Sequence, residues 1–313
     1  MRLAVLILLT LAACGGGNRA DAPMASKSAV RISTASGPKA NQLFGAKTTP
    51  SHQSPAPLGS YAKGCLAGAA QLPESGPTWQ AMRLSRNRSY GHPVLVSYLQ
   101  ELSAKVAANT SWAGLYIGDM SQPRGGPMTS GHQSHQLGLD ADVWLLPARR
   151  LDLSHAERET LSSKSVRSKD LRSVNGNWTA EHMQVLKTAA SDPRVDRIFI
   201  TAPAKIWMCK NARGNRDWLQ KIRPYWGHHY HFHVRLKCPA GASGCITQKP
   251  TVAQLSKGGD GCDETLNWWV TTALKPAKVD PKKKKKKRKK KRGARDYVMA
   301  DLPGQCVGVL KSQ

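Results

Sequence analysis

Acidic side chains are scarce: 20 Asp and Glu stand against 47 Lys and Arg in 313 residues, a formal charge of +27. The unbroken basic run that opens at Lys282 and closes at Arg292 holds eleven of those cations, so the chain is basic even without it. Such a balance attracts polyanions, among them nucleic acid, acidic glycan polymers and anionic membranes. Long hydrophobic stretches are missing too. The apolar run over residues 3–13 is too short to cross a bilayer, and with Met1-Arg2 before it reads as a secretory signal. No Cys-x-x-Cys pair occurs, which argues against a thiolate zinc site, and no His-Glu-x-x-His motif supplies the glutamate base common in zinc peptidases. Internal repeats are likewise absent.

The signal ends Leu11-Ala12-Ala13-Cys14-Gly15, which resembles a bacterial lipoprotein box, with Cys14 as the lipidated residue of the mature chain. Export removes nucleic acid from the expected partners and leaves the membrane, through lipid on Cys14, and anionic envelope polymers, through the basic run. The expected location is the periplasmic face of the bacterial envelope, as an outer-membrane lipoprotein. With Cys14 set aside, Cys65, Cys209, Cys238, Cys245, Cys262 and Cys306 form an even set in an oxidising compartment, which favours three disulfides. Six cysteines allow 15 pairings, and spacing alone picks none of them.

Composition divides the chain. Residues 1–13 are the signal, and residues 14–59, poor in large apolar side chains, read as a flexible tether. A folded domain is expected over 60–275, a basic low-complexity loop over 276–296, and a C-terminal segment over 297–313 that returns to the domain through Cys306. Within the domain, Leu95, Tyr98, Leu99, Leu102 and Val106 mark a helix over 93–108, with Pro93 in its first turn. Residues 115–117 read as a strand, 119–130 as a Gly- and Pro-rich loop, 140–146 as a strand and 197–201 as another. Ser154 and Glu157 form a capping box, residues 179–190 have helical spacing, and 217–222 read as a helix closed by Arg223-Pro224. Strands interspersed with helices, without regular βαβ spacing, predict an α+β fold with a small, mainly antiparallel sheet flanked by helices.

Six of the ten histidines lie in two short segments, His132 with His135 and then His228, His229, His231 and His233. Phe232, Val234 and Leu236 alternate with His231, His233 and Arg235, so the two histidines share one face of a strand while the apolar residues face the core. Asp140 and Asp142 share a face of the earlier strand in the same way. Two imidazoles on one strand, a third from His135 and the Asp142 carboxylate are the neutral and anionic ligands that Zn²⁺ accepts. Asp140 is either a partner orienting a ligand or a solvated strand residue.

The words Ser89-Tyr90-Gly91-His92-Pro93, Ile117-Gly118-Asp119-Met120, Ser134-His135-Gln136, Asn215-Arg216-Asp217-Trp218-Leu219, Ile222-Arg223-Pro224 and His231-Phe232-His233-Val234-Arg235-Leu236, with His135-x-x-Gly138-x-Asp140-x-Asp142, resemble the penicillin-insensitive murein endopeptidases. These belong with the lysostaphin-like peptidases, D-Ala-D-Ala carboxypeptidases and hedgehog domain. The resemblance implies Zn²⁺ on His135, Asp142 and His233, with His132 nearby as a further ligand, His231 as base and His228 as a second active-site histidine. It also implies the pairs Cys65–Cys306, Cys209–Cys262 and Cys238–Cys245. Lys169 and Arg172 stand where some relatives offer ligands for a second zinc, so one essential ion is expected.

The implied reaction is hydrolysis of D-alanyl-meso-diaminopimelate cross-links in peptidoglycan. His231 would take a proton from zinc-activated water, and the zinc with His228 would stabilise the oxyanion. The competing expectations are a zinc D-Ala-D-Ala carboxypeptidase and a non-catalytic, metal-stabilised wall-binding lipoprotein. A serine peptidase of the penicillin-binding kind is set aside. Ser60-Tyr61-Ala62-Lys63 fits its S-x-x-K word and Ser85-Arg86-Asn87 loosely fits a second, but no Lys-Thr-Gly follows.

Overall fold

The computed structural model describes residues 37–276 and 292–312. The signal, the lipidation site, the first half of the tether and the basic run short of Arg292 lie outside the described residues. Eleven strands are described: β1 (Ala56–Ser60), β2 (Lys63–Ala67), β3 (Ala70–Gln71), β4 (Ser75–Gly76), β5 (Trp79–Ala81), β6 (Tyr90–Gly91), β7 (Leu115–Ile117), β8 (Asp140–Trp144), β9 (Val195–Ile200), β10 (Ile222–Pro224) and β11 (His231–Leu236). The helices are α1 (Ala40–Gly45), α2 (Pro93–Asn109), α3 (His155–Thr160), α4 (Ala180–Ser191), α5 (Ala202–Asn211), α6 (Val252–Leu255), α7 (Thr265–Val270) and α8 (Gln305–Lys311).

The central sheet has the order β10-β9-β11-β8-β7-β5-β4. Its β10/β9 and β5/β7 pairs are parallel and the other neighbours antiparallel, so the α+β reading holds. Strand β11 lies between β8 and β9, with His233 opposite Asp142 and Arg235 opposite Asp140. The alternation read from the sequence sends Phe232, Val234, Ala141 and Val143 into the core, all fully buried. Helices α2 and α4 contribute to that core through Leu95, Leu99, Leu102, Val185 and Leu186. The Tyr98 hydroxyl donates to the Ala189 carbonyl at 3.3 Å and ties the two helices. Helix α2 starts where Pro93 predicts, and the His92 ring accepts from the Val94 N–H.

The opposite face of the sheet carries His231, His233, Arg235, Asp140 and Asp142, and it is also largely buried. The loop between β7 and β8 returns over it. Gly138, at φ 64, makes that return possible: a Cβ there would meet Leu66 at 2.3 Å and the His92 nitrogen at 2.8 Å.

Two expectations need correction. The tether does not extend to residue 59, because α1 precedes that point, β1 runs through it, and Ala40 and Phe44 are fully buried. One phenylalanine and small neighbours suffice there, since Ala67, Leu302, Cys306 and Val309 complete a second, smaller core. Residues 217–222 form a 3₁₀ turn at Asp217–Lys221, and Arg223-Pro224 continue into β10 beside β9 instead of ending a helix. Pro224 is tolerated at this sheet edge.

The disulfides are Cys65–Cys306, Cys209–Cys262 and Cys238–Cys245. The first joins β2 to α8 across 241 residues and holds the C-terminal segment on the second core. Buried Arg124 adds to this attachment by donating to the Val309 and Leu310 carbonyls at 2.9 and 3.0 Å, a cation placed at a helix C-terminus. Replacing Cys65 and Cys306 together by Ser is expected to cost about 2–5 kcal/mol. Denaturant unfolding measures the loss, and limited proteolysis should cut first in the C-terminal segment.

Candidate metal centre

Asp142 is the meeting point of four imidazoles. Its Oδ1 lies 3.4 Å from His135 Nε2 and 3.3 Å from His233 Nδ1, and its Oδ2 lies 3.5 Å from both His132 Nε2 and His231 Nε2. The two strands hold Asp142, His231 and His233 by register, while His132 and His135 come from the loop before β8. One ligand atom each from His132, His135 and Asp142 fall within 4.8 Å of one another.

The hydrogen bonds on the far sides of the rings fix which nitrogen faces the centre. His135 Nδ1 is 2.8 Å from the Met120 carbonyl, which only accepts, so Nδ1 carries the proton and Nε2 presents a lone pair. His233 Nε2 is 3.0 Å from Asp140 Oδ1, so that nitrogen donates and Nδ1 is the atom turned to the centre. His135 Nε2 and His233 Nδ1 face each other at 3.1 Å, so a cation must lie between them, either a proton on His233 Nδ1 or a metal ion. Asp142 Oδ1 beside them is buried and has no hydrogen-bond partner. With a proton on His233 Nδ1 displaced, two lone pairs and an orphaned carboxylate oxygen turned on one point fit a divalent cation.

Titration behaviour agrees. Burial pushes His135 down to about 4, helped by the charge on His132, so it is neutral near pH 7. At His233 burial acts in the same direction but Asp140 and Asp142 outweigh it and raise the pKa. The opposite signs suit a facing pair in which only one ring can be charged. Burial opposes ionisation of Asp142, yet the surrounding histidines hold its pKa well below the usual carboxylate range.

Asp140 belongs to the alternative in which it orients a ligand. Fully buried, it accepts from the His135 N–H at 3.0 Å, from His233 Nε2, and from Arg235 Nε and Nη2 at 2.7 and 3.2 Å. Arg235 is itself set against the Tyr61 ring, 4.2 Å from its centroid. His135 has φ 65, a conformation uncommon outside glycine, and the hydrogen bond from its N–H to Asp140 helps hold it there.

Sequence reading assigned no role to Asp119. It is buried, receives Arg88 Nη1 at 2.9 Å and Arg86 Nη1 at 3.2 Å, and lies 3.0 Å from His132 Nε2. The available signal was its place in Ile117-Gly118-Asp119-Met120, directly after a strand and one residue before the carbonyl that orients His135.

The other named residues are placed as follows. His231 lines a cavity of about 440 Å³ with Asp142 and His132, and its pKa is lowered chiefly by burial. His228 lines a neighbouring cavity of about 360 Å³ with His233, and its ring lies 5.1 Å from that of His231. Its Nδ1 donates to the Trp226 carbonyl at 2.7 Å, and burial lowers its pKa to about 3. Nε2 of a neutral His228 therefore accepts, which differs from the donor to an oxyanion expected from sequence. His229 turns to Ser165, and His182 packs on Trp112 and Trp178 as a core residue. Lys63, of the S-x-x-K word set aside above, lies over the Tyr297 ring and pairs with Ser60 in the β1–β2 hairpin.

Asp140→Asn should lower divalent-metal affinity about 10–100-fold, because His233 loses the partner that sets its tautomer; chelator competition measures it. The folded-state pKa values of Asp119, Asp140 and Asp142 are all depressed. Their contribution to stability is complete above about pH 4 and is lost as pH falls below it. Melting the chelator-treated protein across that range should show the loss, with a shallower dependence for Asp140→Asn.

Residues 57–311 match the family model described as penicillin-insensitive murein endopeptidase. Curated relatives of that name include proteins from Haemophilus influenzae, 42% identical over 72% of this chain and 78% of the relative, and Shigella sonnei, 40% identical over 72% and 80%. A third, from Pectobacterium atrosepticum, is 38% identical over 73% of this chain and 79% of its own. With a metal-competent centre on the strands that carry its matching words, the chain belongs to the penicillin-insensitive murein endopeptidase family.

Proposed function

We propose that the protein is a zinc-dependent murein DD-endopeptidase that hydrolyses D-alanyl-meso-diaminopimelate cross-links in peptidoglycan, with one essential Zn²⁺ on His135, Asp142 and His233 and His132 beside them. The observation that carries the reading is the spacing of the three donors, 3.1, 3.3 and 3.4 Å. A tetrahedral zinc with bonds of about 2.0–2.1 Å sets its ligand atoms about 3.3–3.4 Å apart. When bound, the ion supplies Lewis acidity toward the scissile carbonyl and acidifies a water.

The chain's own groups supply the rest. His231, kept neutral by burial and open to the cleft, takes the proton of the attacking water and passes it to the leaving amine. His228 holds its Nδ1 proton on the Trp226 carbonyl and offers Nε2 as an acceptor for a water or a substrate N–H. Asp119, through His132, and Asp140, through His233, keep the rings in orientation. No serine acyl-enzyme forms on this route, so β-lactams should not inhibit. Placement at the periplasmic face of the outer membrane, through lipid on Cys14, and retention on anionic polymers by the basic run are part of the same proposal. They rest on the sequence and on the site of the substrate.

The test is digestion of purified, cross-linked peptidoglycan with product masses read with and without chelator. Cross-linked dimers should become monomers only when metal is present, and penicillin should have no effect. His231→Ala should slow cleavage about 10²–10⁴-fold. Loss of terminal D-alanine alone would replace the reading by a carboxypeptidase, and absence of any product would replace it by a wall-binding protein.

A further inference from the structure

The cavity that holds Asp142 and His231 is also lined by Arg83, Trp144 and Ser162. Arg83 follows β5 at φ 60 and ψ 49, a left-handed conformation that non-glycine residues seldom adopt. Its backbone is pinned there, with its N–H donating to the Arg158 carbonyl at 3.2 Å and the Met82 N–H beside it donating to Ile117. The guanidinium lies 5.7 Å from the Trp144 ring centroid, and Nη2 donates to Ser162 Oγ at 3.0 Å.

Arg83 differs from the other cations near the centre. Arg86 and Arg88 are engaged by Asp119, and Arg235 by Asp140. Among the described residues no carboxylate lies within ion-pair distance of Arg83. Glu159, near enough to feel its charge, accepts from the Ser85 N–H and hydroxyl at 2.7 and 2.9 Å. One of the five guanidinium N–H donors is therefore used by the protein, and a planar fork of donors stays open beside the metal centre.

A solvated surface arginine needs neither a strained backbone nor an aromatic shelf. We propose that Arg83 is the carboxylate anchor of the cleft: its guanidinium binds, in bidentate fashion, the free carboxylate on the carbon that bears the scissile nitrogen. The proposal rests on the endopeptidase reading and adds the substrate group recognised. In a D-alanyl-meso-diaminopimelate link this carboxylate is the anionic group nearest the scissile bond, and Trp144 with Ser162 fixes the plane of the fork that meets it.

The test compares two synthetic cross-linked dimers that differ only at this carbon, one with the free acid and one with the carboxamide. Cleavage by the zinc-loaded full chain is followed as kcat/KM. The wild type should prefer the acid about 10–100-fold, the range of a charge-assisted pair. Arg83→Gln should cleave the two dimers alike, and Arg83→Lys should keep part of the preference. Reading each variant as a ratio between substrates cancels any loss of folded protein. Equal cleavage by the wild type, or a preference that survives in Arg83→Gln, overturns the anchor and leaves the endopeptidase standing. If the zinc-loaded wild type cleaves neither dimer, the endopeptidase reading fails and the anchor with it.

Discussion

The centre depends on the burial of one carboxylate among four donors. Asp140 sits at the bottom of the polar face of the sheet, and its two oxygens receive the His135 backbone, the His233 ring and two nitrogens of Arg235. Each bond fixes a different part of the site. The first holds the β7–β8 loop, the second sets a tautomer, and the third neutralises a charge that would otherwise be too costly to bury. Without this junction, Asp142 and His233 would still lie opposite each other on β8 and β11, but His135 would lose the contact that brings it to them.

Two aspartates two residues apart on one strand thus have opposite tasks, and charge balance explains why. Asp140 has Arg235, and Asp119 has both Arg86 and Arg88. Among the described residues Asp142 has imidazoles alone, with no lysine or arginine within ion-pair distance. Of these three carboxylates it is the one whose counter-charge must be a proton on a histidine or a metal ion. The fold supplies fixed cations for the two carboxylates that orient groups and withholds one from the carboxylate that faces the centre.

What was legible in the sequence follows from periodicity. The alternation around Phe232 and Val234 located β11 and its two faces, and the stripe from Leu95 to Val106 located α2, because in both cases burial repeats with the period of the element. That His135, Asp142 and His233 would come together was legible because their residue types are rare together and their spacing suits strands. Asp140 was ambiguous, since its role is set by Arg235 across the strand pair, and pairing register is not written in either strand alone. Asp119 and Arg83 were missed for a related reason: each is an ordinary charged residue at the end of a strand until the fold shows which partners it has or lacks. Phe44 was missed because a single aromatic in a small-residue segment carries no period, and its burial depends on a C-terminal helix more than 250 residues away.

The placement of the candidate ligands also accounts for how a site built partly on a loop can be rigid. His233 and Asp142 lie on neighbouring central strands whose other face is closed by α2 and α4, so their separation is set by sheet geometry. His135 lies on a loop, but that loop is held at both ends of its approach: Met120 takes the ring, Asp140 takes the backbone, and Gly138 turns the chain back into β8 within three residues. A ligand fixed at backbone and ring by separate partners has little freedom left to lose on binding a cation. The same organisation leaves the cleft unequal on its two sides. Arg83 lines it beyond His231 with no carboxylate partner among the described residues, while beyond His228 it is lined by Phe199 and Tyr225 together with Arg235, whose charge is met by Asp140. A peptide bond laid across Asp142 therefore meets an environment that distinguishes its two ends by charge, which is what a peptidase needs in order to bind a cross-link in one direction only.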